Sequence, residues 1–319
     1  MRYRHLGNSG LQVSTVSLGS WLTFGHKTGA AITAKCVQRA FDLGVNLFDT
    51  ANVYAAGRAE ELLGEALKPL PRHSYALATK AYFPVGPGPN DQGLSRKHIF
   101  EQVHMSLRRL KTDYVDLFQC HRFDAATPVG ETLRAIDDLI AQGKVLYGGV
   151  SRWSAENIEA AVRLGNDLGI RRLISNQPQY HIFQREIETN GVLDACERAG
   201  LGILVYSPLA RGMLSGKYAS IDDVPSDSRA ADETGKTFMG PWFSEEGLEK
   251  VGRLKVIAEK AGMTLAEMSM AWCLRQVQVS SVIIGATKVQ HVEENVRAAD
   301  IDLPDDVVAA IDRVAPALT

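Results

Sequence analysis

The sequence predicts a closed parallel (β/α)8 barrel, with a β-hairpin ahead of it and extra helices towards its C-terminal end. Three observations carry the prediction. Outside the hairpin, eight short apolar runs each precede a segment of helical periodicity, and such alternation implies parallel strands with helices outside them. Eight such units in 319 residues fit a closed barrel better than two open sheets. The runs are apolar at consecutive positions, as strands buried on both faces must be. No shift in composition marks a linker, so residues 1–319 are expected to form one barrel domain.

The elements follow in order. Gly7-Asn8-Ser9-Gly10 is a turn between Tyr3–Leu6 and Leu11–Ser14, which reads as the hairpin. Val16–Gly19 is the first barrel strand. Thr33–Leu43 is helical, with Ala34, Val37, Ala40 and Phe41 on one face and Gly44 as its stop. Leu47–Asp49 is a strand, and Ala59–Leu67 a helix ended by Lys68-Pro69. Strands at 75–79, 115–119 and 145–150 alternate with helices at 95–110, 129–142 and 155–168, with Ser95 and Ser154 as N-caps. Strand 173–176, helix 191–199 and strand 203–206 continue the pattern. Helices at 245–261 and 265–276, a strand at 281–284, a helix at 289–298 and a last helix from Asp305 complete it. The irregular stretch at about 209–243 is long for a compact domain and marks a functional loop.

Bulk properties exclude several classes of function. A net charge of −2 gives no reason to expect nucleic acid or an anionic membrane as partner. No apolar run approaches the ~18 residues of a membrane span, and the first residues lack the apolar core of a signal peptide. The 4 cysteines are scattered with no CxxC pair, so neither a disulfide framework nor a zinc knuckle is expected. The expectation is a cytoplasmic protein with reduced thiols.

In a barrel, the C-terminal strand ends share one rim, and active sites sit there. In order, those ends supply Gly19-Ser20-Trp21, Asp49, Lys80, His121, Ser151, Asn176-Gln177, Tyr206-Ser207 and Gly285, with Tyr54 in the loop after Asp49. Any one of these is about as readily a loop residue as a functional one. An acid, an ammonium, an imidazole and a phenol on neighbouring ends form a more particular set. A phenol titrates near ~10, too high for an efficient proton donor near neutral pH. Lys80 would favour the phenolate and lower that value, Asp49 would hold Lys80 charged and oriented, and His121 could donate to a carbonyl oxygen. The set suits proton delivery to an oxygen becoming an alkoxide, as in carbonyl reduction by hydride.

No side chain donates a hydride, so a cofactor is required. The chain has no GxGxxG, and Gly212–Tyr218 fails as a phosphate loop because its glycines are one residue too close and Tyr218 replaces Ser or Thr. HExxH spacing is absent, and no metal is expected.

Four segments carry a resemblance: Phe48-Asp49-Thr50-Ala51-Asn52-Val53-Tyr54, Gly149-Val150-Ser151-Arg152-Trp153, Asn176-Gln177-Pro178-Gln179-Tyr180-His181 and Tyr206-Ser207-Pro208-Leu209-Ala210-Arg211-Gly212. With these the chain resembles the aldo-keto reductase superfamily, and within it the branch of bacterial reductases and voltage-gated potassium channel β subunits. The resemblance runs from Tyr3-Arg4-His5-Leu6-Gly7 to Glu293-Glu294-Asn295. It implies a catalytic tetrad of Asp49, Tyr54, Lys80 and His121, and NADPH extended across the barrel mouth. Ser151 and Gln177 would hold the nicotinamide amide, Tyr206 would stack on its ring, and Ser20, Trp21 and Asp49 would lie on that side. Ser207, Leu209, Lys217, Ser228 and Arg229 would line the pyrophosphate. Gly285, Thr287, His291, Glu294 and Asn295 would hold the adenosine end. His291 stands where many reductases place Arg, which weakens the expected grip on a 2′-phosphate. The channel subunits carry Asn and Trp where this chain has His121 and Tyr206, which favours a working reductase.

The implied function is reduction of an aldehyde or ketone by NADPH, with a small-molecule carbonyl substrate and a homo-oligomeric assembly. The alternatives are a channel-β-like subunit that binds NADP(H) with little turnover, and a barrel lyase using Lys80 as a Schiff-base nucleophile. The lyase leaves Tyr54 and the cofactor-like motifs without a role. Trp21, Phe24, Tyr82, Phe83, Arg122, Phe123, Trp153 and Arg211 are the pocket candidates, a mix that suggests aromatic or small polar carbonyls.

Overall fold

In the computed structural model, which describes residues 1–317, β1 (Tyr3–His5) and β2 (Gln12–Ser14) form an antiparallel hairpin. The first half of the barrel alternates β3 (Val16–Gly19), α1 (Ala30–Asp42), β4 (Leu47–Asp49), α2 (Arg58–Leu67), β5 (Ala76–Ala81), α3 (Arg96–Leu110), β6 (Val115–Cys120) and α4 (Val129–Ala141). The second half continues with β7 (Val145–Val150), α5 (Ala155–Asp167), β8 (Leu173–Asn176), α6 (Val192–Ala199) and β9 (Gly202–Tyr206). Three helices then precede the last strand: α7 (Glu233–Lys236), α8 (Glu245–Lys260) and α9 (Leu265–Leu274). After β10 (Val279–Gly285) come α10 (Val289–Val296) and α11 (Asp305–Val314).

Strands β3 to β10 close in sequence order, all parallel, and β10 completes the ring by pairing Gly285 with Gly19. The architecture is therefore a (β/α)8 barrel, with the expected hairpin and extra helices. Residues two apart on a strand share a face. Leu47, Ala76, Ala78, Leu117, Ile174, Leu204 and Ile283 accordingly pack together inside the barrel, joined by Leu6 and Val13 from the hairpin. The hairpin thus plugs the N-terminal end. Gly7 makes the close fit possible: it adopts φ +58°, and a Cβ there would meet the Gly200 carbonyl oxygen at 2.2 Å. A second core fills the space between barrel and helices, where Val37, Phe48, Leu63, Ile99, Phe118, Leu139 and Trp272 are buried.

Helix starts follow the capping chemistry where that chemistry exists. The Ser95 and Ser154 hydroxyls accept from the backbone N–H of His98 and Asn157, and Thr264 forms a capping box with Glu267. Helix α1 begins at Ala30 rather than Thr33, because its N-cap is Gly29, with no side-chain cap to announce it. Strand β10 begins two residues before the expected Ser281. A register irregularity at Ser280, whose hydroxyl donates to the His5 carbonyl at 2.9 Å, breaks the apolar run there. The stretch 209–243 is only partly irregular, since it holds a 3-10 turn at Ala210–Ser215 and the short α7. Among the described residues, no helix is long and apolar enough to cross a membrane, and no group of His, Cys, Asp and Glu is arranged to hold a metal.

Candidate active site

The polar strand ends meet at the C-terminal mouth, and the backbone there is strained. Non-glycine residues with positive φ include Leu22, Ala55, Ala56, Arg152, Ser207, Ala210 and Arg211, all in loops that leave this rim. Such conformations cost about 1–3 kcal/mol each and cluster where side chains must be aimed.

Asp49 ends β4 and Lys80 lies near the end of β5, both turned inward. Lys80 Nζ donates to Asp49 Oδ2 at 2.6 Å and to the Thr50 carbonyl at 2.7 Å, while Gln177 Nε2 donates to Asp49 Oδ1 at 2.9 Å. Both carboxylate oxygens are therefore occupied, as a buried charge requires. Burial holds the Lys80 ammonium below its usual value, with Asp49 and Glu60 opposing that shift.

Tyr54 opens a 3-10 turn, and the left-handed Ala55 and Ala56 bend the chain sharply into Gly57 and α2. Its hydroxyl lies 3.5 Å from His121 Nε2, and Lys80 Nζ lies 5.4 Å from its ring centroid. Burial, and next the charge of Asp49, hold the Tyr54 phenol well above its ordinary range. This corrects the expectation that Lys80 would lower it. The ammonium protons go to Asp49 and Thr50, so its charge is largely balanced, and desolvation of the phenolate dominates. Tyr54 is consequently a neutral phenol with its proton in place. Burial and the neighbouring Lys80, Arg122 and Arg152 hold His121 well below the usual histidine value, so its ring is neutral too. His121 Nδ1 is buried without a partner.

The residues assigned to the nicotinamide side flank this group. Ser20 Oγ donates to Thr50 Oγ1 at 2.8 Å, and Ser151 Oγ donates to the Gln177 carbonyl at 2.8 Å. Gln177 spends its N–H on Asp49, which leaves Gln177 Oε1 and the Ser151 lone pairs as acceptors for a carboxamide. Tyr206 is half-buried at the end of β9 and donates to Gln179 Oε1 at 3.3 Å, and the left-handed Ser207 turns the chain after it. Trp21 has the guanidinium of Arg229 at 5.1 Å and that of Arg211 at 5.9 Å from its ring centroid.

Beyond Trp21 lies a group of cations. Lys217 keeps solvent contact, yet the surrounding protein and then Arg229, Lys288 and Lys27 hold its ammonium below the usual value. Burial pushes the Arg229 guanidinium down to about 10, and burial, Lys217 and Lys288 lower His291. Ser228 Oγ is buried without a partner. Mutually repelling cations beside an unpartnered hydroxyl fit a polyanionic ligand such as a pyrophosphate. Leu209 is half-buried at the start of the loop that carries them. At the far end Gly285 is exposed, Thr287 Oγ1 lies 3.4 Å from His291 Nδ1, and Asn295 is buried. Glu294 is exposed and accepts from Gln290 at 2.6 Å.

Two pocket candidates belong to the core instead. Phe24 and Trp153 are 1% and 2% exposed, and Phe123 packs edge-on against Trp153 at 5.0 Å. The sequence reading also passed over Glu60. This fully buried carboxylate on α2 accepts from Thr79 Oγ1 and Arg109 Nε, both at 2.6 Å. The acid sits among apolar positions of an amphipathic helix, and that was its available signal.

The Aldo/keto reductase family model matches residues 15–316. A probable voltage-gated potassium channel subunit beta of Arabidopsis thaliana is 44% identical over 94% of this chain and 92% of its own length. A protein of the same name from Oryza sativa subsp. japonica is 44% identical over 98% and 96%. A Schizosaccharomyces pombe protein named for the same channel subunit is 39% identical over 98% and 92%. The chain belongs to the aldo/keto reductase family.

Proposed function

We propose that this protein reduces an aldehyde or ketone with NADPH, and that Tyr54 is the proton donor. The observation that carries the reading is the protonated Tyr54 hydroxyl 3.5 Å from His121 Nε2, above the buried Lys80–Asp49 pair. The cofactor reading is supported by Lys217 and by Arg229 over Trp21, by the buried, unpartnered Ser228 hydroxyl, and by the free acceptors of Ser151 and Gln177 beside Asp49.

When bound, NADPH supplies the hydride that no side chain can. Every other task falls to the chain. His121 donates from Nε2 to the carbonyl oxygen and orients it. As negative charge grows on that oxygen, Tyr54 delivers its proton and becomes a phenolate, and the Lys80 ammonium, 5.4 Å from the Tyr54 ring centroid, offsets part of that charge. Asp49 holds Lys80 in place. Such general acid catalysis typically contributes ~10²–10⁴-fold.

The names of the relatives favour a second reading, in which the protein binds NADP(H) as a channel-β-like subunit with little turnover. Initial rates on a panel of aldehydes and ketones, with NADPH and NADH compared, separate the two. Turnover with NADPH is expected. Tight NADPH binding without oxidation by any carbonyl compound would favour the binding subunit.

A further inference from the structure

The barrel mouth gathers more cations than the phosphates of a dinucleotide call for, in two groups that meet at Trp21, where Arg229 and Arg211 lie over one ring. Lys217, Arg229 and Lys288 make up the first, with the His291 ring beside them. The second is Arg122, Arg152 and Arg211, from the loops after β6, β7 and β9. It borders the reacting side. Arg122 follows His121 directly and donates to the His121 carbonyl at 2.6 Å. Its guanidinium lies 5.0 Å from the Phe83 ring centroid, and that ring lies 4.9 Å from the His121 ring. Arg211 donates to the Phe238 carbonyl and leans on Trp21 and Trp242, with its Nε buried and unpartnered. Arg152 is exposed, held at φ +57°.

Among the described residues, the hydrogen bonds of Arg122 and Arg211 reach only carbonyl oxygens and the Gln179 amide, and none of the three arginines has a carboxylate partner. They are nevertheless within electrostatic reach of one another, since Arg152 depresses both Arg122 and Arg211, and Tyr206 faces both. Three like charges gathered without a counterion repel each other, and an anion arriving among them relieves that repulsion. The planar guanidinium fork suits a carboxylate. Phe83 supplies a flat apolar wall between Arg122 and His121, with Tyr82 edge-on against it at 5.3 Å.

We propose that the preferred carbonyl substrate carries a carboxylate, seated against Arg122 with Arg152 and Arg211 beside it. The proposal rests on the reductase reading of Tyr54 and His121, and it narrows the substrate from any carbonyl compound to an anionic one. Arg122 is the specificity residue in this account, and it has no part in proton transfer.

The test compares 4-carboxybenzaldehyde with its methyl ester, which removes the negative charge and adds one methyl group. With intact protein and saturating NADPH, kcat/KM for the acid is expected to exceed that for the ester by about tenfold or more, the range of a charge-assisted hydrogen bond. The advantage should shrink as salt is raised. In Arg122→Gln the acid-to-ester ratio should fall towards one, and Arg122→Lys should restore part of it. Calorimetric titration of both aldehydes in the presence of NADP+, where no hydride is available, separates this proposal from the reductase reading. Tighter binding of the acid without turnover of either aldehyde would sink the reductase reading and keep the anion site. Equal binding and equal rates in the unaltered protein would overturn the anion site, however fast the reduction. A ratio that survives Arg122→Gln would overturn the role of Arg122.

Discussion

Lys80 Nζ lies 2.6 Å from Asp49 Oδ2, with the two side chains only 1% and 5% exposed. A buried pair of this kind is a demanding arrangement. Its desolvation penalty is large, and the mutual attraction repays it only when the remaining donors and acceptors are satisfied. Here they are: Thr50 takes a second Lys80 proton, and Gln177 occupies the second Asp49 oxygen. The pair places the Lys80 ammonium 5.4 Å from the Tyr54 ring centroid, with Asp49 balancing enough of its charge to leave the phenol proton in place.

Breaking the pair from one side should therefore destabilise the fold strongly. Asp49→Asn and Lys80→Met are each expected to cost about 3–5 kcal/mol, because each leaves a buried charge uncompensated. The double variant should cost clearly less than the sum. Urea denaturation of the four proteins checks this, and single variants within about 0.5 kcal/mol of the unaltered chain would contradict it.

His181 predicts the acid behaviour of the fold. Burial, and next Arg211, lower it to about 3, and its Nδ1 accepts from the Phe183 N–H at 3.2 Å. Its value is ~6.5 when unfolded, so between pH ~6.5 and ~3 the unfolded chain binds a proton that the folded chain refuses. Stability from this group is fully present above that window and is lost as pH falls through it, by about 1.4 kcal/mol per unit. His181→Gln should flatten the measured slope of unfolding free energy between pH 6 and 4. An unchanged slope would reject the assignment.

The stretch 209–243 should behave as a cover over bound cofactor. Lys288–Asp227 at 2.8 Å and His26–Asp232 at 2.9 Å tie it to the loops after β10 and β3, the next two strands round the ring, and Trp242 donates to the Ala210 carbonyl at 3.2 Å. NADPH is expected to slow proteolytic cleavage within it, and Lys288→Ala is expected to speed cofactor release. Cleavage at the same rate with and without NADPH would rule out closure.

NADPH should bind more tightly than NADH, because Lys288 and Lys217 lie close to His291 at the end assigned to the adenosine, where NADPH alone carries a 2′-phosphate. Fluorescence titration with both dinucleotides decides the point. Equal dissociation constants, or tighter NADH binding, would overturn it.

Most of the barrel was legible because its strands are short, apolar and separated by helices of clear periodicity, two of them opened by Ser95 and Ser154 caps. Val16–Gly19, Leu47–Asp49, Val145–Val150 and Leu173–Asn176 have the bounds that their sequences announce. The reading slipped where a local rule was broken. Gly29 gives α1 no cap to see, and Ser280 interrupts β10. The left-handed Ala55 and Ala56 that aim Tyr54 carry no sequence mark, since alanine rarely adopts positive φ. The gathering of Asp49, Tyr54, Lys80 and His121 was legible, because strand ends of a barrel share one rim. The protonation of Tyr54 was not. It depends on how far Asp49 balances Lys80 and how deeply the phenol is buried, and both are properties of packing.

The proton donor is tested most directly by single-turnover reduction with Tyr54→Phe at saturating NADPH. The ring and its packing survive, and only the donor hydroxyl is lost. The chemical step should slow by ~10²–10⁴-fold while NADPH affinity stays nearly intact. Combining Tyr54→Phe with Lys80→Met should add little further loss, since both act on one proton transfer. A near-normal chemical step in Tyr54→Phe would contradict the account and move the donor role to His121.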